Sequence, residues 1–251
     1  MKKTLITLLL TVMAVLAASD AMALVAVEGR YWFTSFDSKI RISNGSSDGT
    51  NLDPVGDLGF EKKKKFWEVR ASLGDASNKI RYSFVPLKWN AAATISRSVV
   101  FNGKTYSAST PVTSELKVNY HRLGWEYDAV DKLNNKAGYI FDIKYFDISA
   151  GINAPSAGLN ESKSMKVAVP TMGFLFQVGL PYLINISAEA TGAKVASDKY
   201  LYDAEAAVTM KLAAFLSVSG GYRVLKFHFE KDNNLGAFTL KGPYAALKAE
   251  F

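Results

Sequence analysis

Acids and bases recur two residues apart along the chain: Glu28 with Arg30, Glu68 with Arg70, Asp142 with Lys144, Asp203 with Glu205. A spacing of two puts side chains on one face of an extended strand. Arg81, Arg122, Glu126, Asp128, Glu189, Lys211, Arg223, Lys248 and Glu250 share that parity within their own segments. Eight of these seventeen residues are basic and nine acidic, so the set nearly neutralises itself. A face of this kind can line a path for polar solutes, or it can lock into ion pairs that fill the space. The second reading is the expectation here, with Arg30, Arg70, Arg81, Arg122 and Arg223 pairing across strands, and a narrow pore is the alternative.

Catalytic and metal-binding patterns are sparse. The chain has two histidines, His121 and His228, and no cysteine. His121 lies on the apolar parity with no acid beside it. His228 lies near a strand end, and Ser197 and Asp198 fall in the neighbouring loop, so a Ser/His/Asp grouping is conceivable there. Gly45-Ser46-Ser47-Asp48-Gly49 has the spacing of a nucleophile elbow but lacks the strand–turn–helix context. Asp48, Asn51, Asp53 and Asp57 supply oxygens but miss the EF-hand spacing, so no metal site is expected. No phosphate-binding loop or dinucleotide fingerprint is present, and no cofactor is expected.

The elements that would position the charged face are strands. Period-two alternation dominates after residue 23, interrupted by turn signals. Val25, Val27, Gly29, Tyr31 and Phe33 oppose Glu28, Arg30, Trp32 and Thr34; Trp67, Val69, Ala71 and Leu73 oppose Glu68, Arg70 and Ser72. Ten strands are expected, at 24–36, 64–74, 79–91, 112–128, 136–150, 166–180, 183–195, 199–211, 215–229 and 236–251; eight or twelve also satisfy the pattern. Short connections (75–78, 129–136, near Pro181, near Ala213) alternate with longer ones (37–65, 92–111, 151–165, and shorter 196–199 and 230–235), as a transmembrane barrel requires. Residues 167–188 carry no charge. Pro170 and Pro181 interrupt them, and proline inside a helix costs about 3 kcal/mol, so they read as two strands with a turn at 179–182. Tyr31, Trp32, Trp67, Trp89, Trp125, Tyr127, Tyr139, Tyr182, Tyr222 and Tyr244 fall near strand ends, where interfacial girdles are expected.

The N-terminus reads as an address. Met1-Lys2-Lys3, an apolar Leu5–Ala17 and the small-x-small triplet Ala21-Met22-Ala23 make a cleavable signal peptide over 1–23, leaving a barrel domain at 24–251. Cleavage would lower the formal net charge from +7 to +6 by removing Lys2, Lys3 and Asp20. The absence of cysteine suits a chain that crosses the periplasm unfolded. Export argues against nucleic acid as the anionic partner and for phosphorylated lipid headgroups. Glu61-Lys62-Lys63-Lys64-Lys65 is the sharpest charge run; Lys62, Lys63, Lys64 and Lys65 either contact lipopolysaccharide phosphates or form a solvated rim.

The C-terminus, Tyr244-Ala245-Ala246-Leu247-Lys248-Ala249-Glu250-Phe251, alternates apolar residues up to a terminal Phe. This resembles the last-strand signature of small Gram-negative outer-membrane β-barrel proteins. The resemblance covers the mature chain by pattern only. It implies a closed antiparallel transmembrane barrel in the cell outer membrane, surrounded by outer-membrane lipid and lipopolysaccharide. It also implies that Phe251 is read by the barrel-assembly machinery. Gly49–Phe60 looks like a first-loop pattern of uncharacterised members and implies no activity. Several enzymes of the class act on lipid A, phospholipid or peptides with a histidine near the outer rim, where His228 would lie. The expected function is therefore a non-enzymatic barrel, structural or a narrow solute pore. The alternatives are a lipid A or phospholipid-modifying enzyme, and a surface adhesin using 37–65 and 92–111. Solute, receptor and oligomeric state are not encoded in any motif.

Overall fold

A computed structural model describes residues 24–44, 47–132 and 135–251; the expected leader, 1–23, lies outside them, as do Gly45 and Ser46 of the elbow-like motif. Ten long strands form one closed antiparallel barrel: β1 (Leu24–Arg41), β2 (Lys63–Gly74), β3 (Asn78–Thr94), β6 (Pro111–Lys132), β7 (Asn135–Ala154), β8 (Leu159–Leu180), β9 (Ile184–Ala196), β10 (Lys199–Ala213), β11 (Leu216–Lys231) and β12 (Asn234–Glu250). A small hairpin of β4 (Val99–Phe101) and β5 (Lys104–Tyr106) sits in the connection from β3 to β6. Strand β12 pairs with β1 to close the wall. The seam continues to the last residue, where Phe251 and Val25 exchange backbone hydrogen bonds of 2.8 and 2.9 Å. The charge-free stretch 167–188 is the end of β8, a turn at 181–183 and the start of β9. Among the described residues no helix is long and apolar enough to cross a membrane.

Apart from register shifts at Asp128–Val130 and Lys211–Ala213 near the short turns, the strands keep one parity inward, but what faces inward changes along their length. Near the short turns the inward residues are charged and the outward ones are apolar. Arg122 is buried while Leu123 and Trp125 are exposed. Toward the long loops the pattern inverts. On the same inward parity of β6 follow Tyr120, Val118 and Leu116, all buried, while Asn119 and Lys117 point out. Strands β1, β3, β7 and β11 change in the same way at Phe36, Leu87, Phe146 and Phe227. The long-loop half is therefore packed like a water-soluble barrel around an apolar core, and the short-turn half like a membrane barrel around a polar one.

This inversion corrects two expectations. Residues 151–165 are not a loop, because β7 runs to Ala154 and β8 starts at Leu159. Their outward Asn153, Asn160 and Ser162 carry the polar face of continuing strands. Trp32, Trp89 and Tyr244 do not join a girdle; they point inward, at 1%, 1% and 4% exposure. Burial of so large an apolar surface inside the wall outweighs the interfacial position.

The wall is complete around the short-turn half and split twice above it. Strands β2 and β3 pair only from Val69–Phe84 down to Gly74–Lys79, and β8 and β9 only from Met172–Gly192 down to Leu180–Ile184. In each case a proline, Pro86 or Pro170, lies two residues past the last pair. Proline cannot donate to a ladder and belongs on strand edges. The first split is filled by Trp89, stacked on Phe36 at 4.3 Å and edge-on to Phe66 at 5.0 Å. It is also covered by the connection after β1. There Asp53 caps a short helix, α1 (Pro54–Leu58), by accepting from the Val55 N–H. Gly59, at φ +75, ends α1, and Leu52, Leu58 and Phe60 are buried.

Candidate functional site

The charged lumen is built by strand register. Pairing of β1 with β2 sets Glu28 opposite Arg70 and Arg30 opposite Glu68. Pairing of β10 with β9 and β11 sets Glu205 opposite Glu189 and Arg223. Like charges directly opposite repel, so Glu189 and Glu205 require cations from across the barrel. Glu205 receives both: Arg30 and Arg70 each reach it through two nitrogens, at 2.7 to 3.1 Å. Glu189 accepts from Arg81 at 2.6 Å and Arg122 at 2.7 Å. Glu28 holds Arg30 from the side, Arg81 also meets Glu126 at 2.9 Å, and Lys79 bridges Glu126 and Asp128.

Above that layer lies a second one. Arg223 donates to Asp203 through Nε and Nη2, both at 2.8 Å, and to Glu68 through Nη1 at 3.0 and 3.2 Å. Glu68 also accepts from Arg70 at 2.7 Å, and Asp203 from Lys144 at 2.9 Å. Asp142 pairs with Arg122 at 2.7 Å and with Lys144 at 3.4 Å. Trp32 and Tyr120 close the layer: Arg223 lies 4.9 Å from the first ring and 5.7 Å from the second, and the Tyr120 hydroxyl donates to Asp203 at 3.1 Å. Lys211, Lys248 and Glu250 are peripheral. They line the space nearer the short turns, where Lys248 pairs with Glu250.

Two cavities flank this second layer and share no lining residue. The one on the short-turn side, of about 440 Å³, is lined by the lower ion pairs, including Arg30, Arg70, Glu189 and Glu205. The one on the long-loop side, of about 270 Å³, is lined by Phe36, Trp89, Leu116, Val118, Phe227 and Phe238 among others. Trp32, Glu68, Tyr120, Lys144, Asp203 and Arg223 line neither. The apolar cavity has no counterpart among the candidate lumen residues of the sequence, which are charged. Its signal was present in the sequence: Leu116, Val118 and Tyr120 have the parity of Arg122.

The lysine run splits across the wall. Lys63 and Lys65 point outward, Lys64 takes the inward parity of Phe66, and Lys62 precedes the strand and pairs with Asp37 at 3.2 Å. With Lys88, Lys117, Lys166, Lys226 and Lys241, Lys63 and Lys65 form an exposed outward belt at the upper edge of the aromatic band, where Lys65 pairs with Phe33 and Lys226 with Tyr202. Lys65 lies over Phe33 and Lys226 over Tyr200.

The histidines both face outward. His121 Nδ1 lies 2.8 Å from the Tyr82 hydroxyl, and His228 stacks on Tyr200 at 5.2 Å. Among the described residues no hydrogen bond joins His228 to Ser197 or Asp198, and no cluster of three or more potential metal ligands occurs. The oxygens of the first loop hold the loop itself. Asp57 pairs with Arg97 at 2.7 Å, Asp48 accepts from Asn233, and Asn51 from Arg41.

Comparison with known proteins bears on the architecture. No protein-family model and no curated protein sequence matches the chain. Among solved structures, the outer membrane protease OmpT of Escherichia coli is similar with a TM-score of 0.51 at 9% identity, over 91% of this chain and 97% of that one. The fold is that of a Gram-negative outer-membrane β-barrel. Looser likenesses include Ail, the attachment invasion locus protein of Yersinia pestis (TM-score 0.39, 9% identity, 89% of this chain, 98% of that one). Another is the Pseudomonas putida toluene transporter TodX (TM-score 0.36, 8% identity, 94% and 91%). Identities this low speak to the barrel and not to any of these activities.

Proposed function

We propose that the protein sits in the outer membrane, short turns toward the periplasm, as a non-enzymatic barrel whose lumen is closed by its ion network. The observation that carries this reading is Arg223, 1% exposed and bridging Glu68 of β2 to Asp203 of β10 across the barrel. A pore needs water along its axis, whereas here six side chains separate the lower vestibule from the upper cavity. A barrel of about eight strands is just filled by side chains, and ten strands with long Arg and Glu side chains suit a filled lumen. The catalytic alternative gains nothing from His228, whose ring lies flat on Tyr200 on the outer face.

Two contacts with the envelope follow from the same reading. The outward lysine belt, Lys63 and Lys65 included, stands where lipopolysaccharide phosphates would lie; each such lysine adds about 1 kcal/mol near an anionic surface. Phe251 ends the seam strand as the residue read by the assembly machinery. Planar-bilayer recordings test the closed lumen: the purified protein gives no unitary conductance, and Arg223→Ala gives measurable steps. Steady conductance from the unaltered protein refutes closure and favours the narrow pore.

A further inference from the structure

We propose that the apolar cavity takes one hydrocarbon chain of an outer-leaflet lipid, admitted sideways over the tip of the β9–β10 hairpin. The missing wall is the first observation. The cavity is lined by residues of β1, β3, β6, β7, β8, β11 and β12, and by none of β9 or β10. In the closed order of strands, β9 and β10 are all that stands between β8 and β11. Leu159 to Thr171 of β8 pair with β7 but not with β9. Ser164, on the outward parity of β8, nevertheless lines the cavity, so the space reaches the free edge of that strand.

The opening lies at a particular depth. The hairpin turns at Ser197–Asp198, immediately above the outward Tyr200 and Tyr202 of the aromatic band. Such rings mark the headgroup level of a bilayer. On the opposite side, β7 continues nine residues past Tyr145 to Ala154. The wall thus ends at headgroup depth on one side only, beside an apolar cavity. The other split, between β2 and β3, is stoppered by Trp89 with Phe36 and Phe66; among the described residues no aromatic stack fills the one beside β8, where Val167 and Val169 are only partly buried.

The cavity lining carries three cations, Arg41, Lys163 and Lys231, against one acid, Asp232. Lys163 and Lys231 both line the cavity near its edge. Lys231 lies 3.8 Å from Asp232, and Lys163 has no ion-pair partner among the described residues. An anionic headgroup would find Lys163 while its chain lies against Met165, Phe227 and Phe238. An interior apolar space that opens at headgroup depth favours a hydrocarbon chain over water.

The four tryptophans permit a direct test. Trp67 and Trp125 face outward, Trp89 lines the cavity, and Trp32 lies below it. The purified Trp67→Phe, Trp125→Phe protein is reconstituted into phosphatidylglycerol vesicles whose chains are brominated or not. Bromine quenches tryptophan at contact, so brominated vesicles should remove about half of the lumenal emission, the share of Trp89. Ala150→Phe and Gly236→Leu each fill the cavity and should restore emission, with folding checked by heat-modifiable migration. Unchanged emission in brominated vesicles overturns the proposal. So does quenching that persists in either folded, filled variant. Quenching by a brominated fatty acid added to micelles, without quenching in vesicles, overturns the lipid as the source.

Discussion

Arg223→Ala is the most informative perturbation of the lumen. The guanidinium makes four hydrogen bonds to two carboxylates, Glu68 and Asp203, themselves 1% and 4% exposed. Removing one partner of a buried pair costs about 3–5 kcal/mol because the other charge is stranded. Here each carboxylate keeps one cation, Arg70 for Glu68 and Lys144 for Asp203, so the lower end, about 3 kcal/mol, is expected. With a urea slope of roughly 1–3 kcal/mol per M, the unfolding midpoint in vesicles should fall by about 1–3 M. The paired variant Glu68→Leu, Arg223→Met removes both charges and should cost well under the sum of its single changes. Tryptophan fluorescence against urea measures the five midpoints, of the unaltered protein, Arg223→Ala, Glu68→Leu, Arg223→Met and the double variant. An Arg223→Ala midpoint equal to that of the unaltered protein, or strict additivity in the double variant, refutes the argument that these charges hold each other in place.

Other expectations are more local. Gly124 faces Asp142, and a Cβ there would lie 1.9 Å from Oδ1; Gly124→Ala should cost about 1–3 kcal/mol by overpacking, while Gly29→Ala, with nothing within 4 Å, should leave the midpoint unchanged. Both are read from the same urea curves. Asp57 is held below the usual carboxylate range by its hydrogen bond to Arg97. Its depressed folded value means the tether is present above the unfolded pKa of about 4 and is lost as pH falls through the folded one. Hydrogen exchange of 95–110 should therefore rise at acid pH, and Asp57→Asn should show the faster exchange already at pH 7. Lys63→Glu with Lys65→Glu should weaken lipopolysaccharide binding by about 2 kcal/mol or more, each lysine adding about 1 kcal/mol. Co-purified lipopolysaccharide measures this, and an unchanged amount assigns those lysines to a solvated rim.

The short-turn half of the barrel was legible because two signals coincide there. Apolar residues that face lipid and charged residues that face the lumen alternate with period two, and a charge on the lipid side costs about 2–4 kcal/mol. That cost forces Arg70, Arg122 and Arg223 to one parity and fixes the register around them. Ten strands and the residues of the ion network can both be read from that rule. Which acid meets which base cannot, because the partners are brought together by closure: Arg30 finds Glu205 175 positions away. Trp32 shows the limit in one residue. Its parity is inward, yet its type suggested an interface; the indole N–H donates to the Gly242 carbonyl at 3.1 Å inside the barrel.

The long-loop half is harder to read from the sequence for a physical reason. Above the membrane band both solvents change places: water lies outside and the interior is dry. Period two survives, but its phase relative to polarity reverses. A segment such as Leu116-Lys117-Val118-Asn119-Tyr120 then looks like any half-buried strand, and nothing in it says which face is inside. The parity of Arg122, carried four residues back to Val118, does say so. Carried along the other strands, it places Phe36, Trp89 and Phe227 around a shared interior, where the apolar cavity is found. Pro86 and Pro170 supply the remaining information. Each removes a ladder donor, so each marks where a neighbour need not follow. At Pro86 the first loop and three aromatic rings occupy the gap, and at Pro170 the short β9–β10 hairpin leaves it open. A barrel with uniform walls would need neither proline. Restoring a donor with Pro170→Val should therefore leave folding intact, since β7 already holds that strand at Ile143. Heat-modifiable migration reads this, and loss of the folded band in Pro170→Val would show that the proline closes the wall and does not end it.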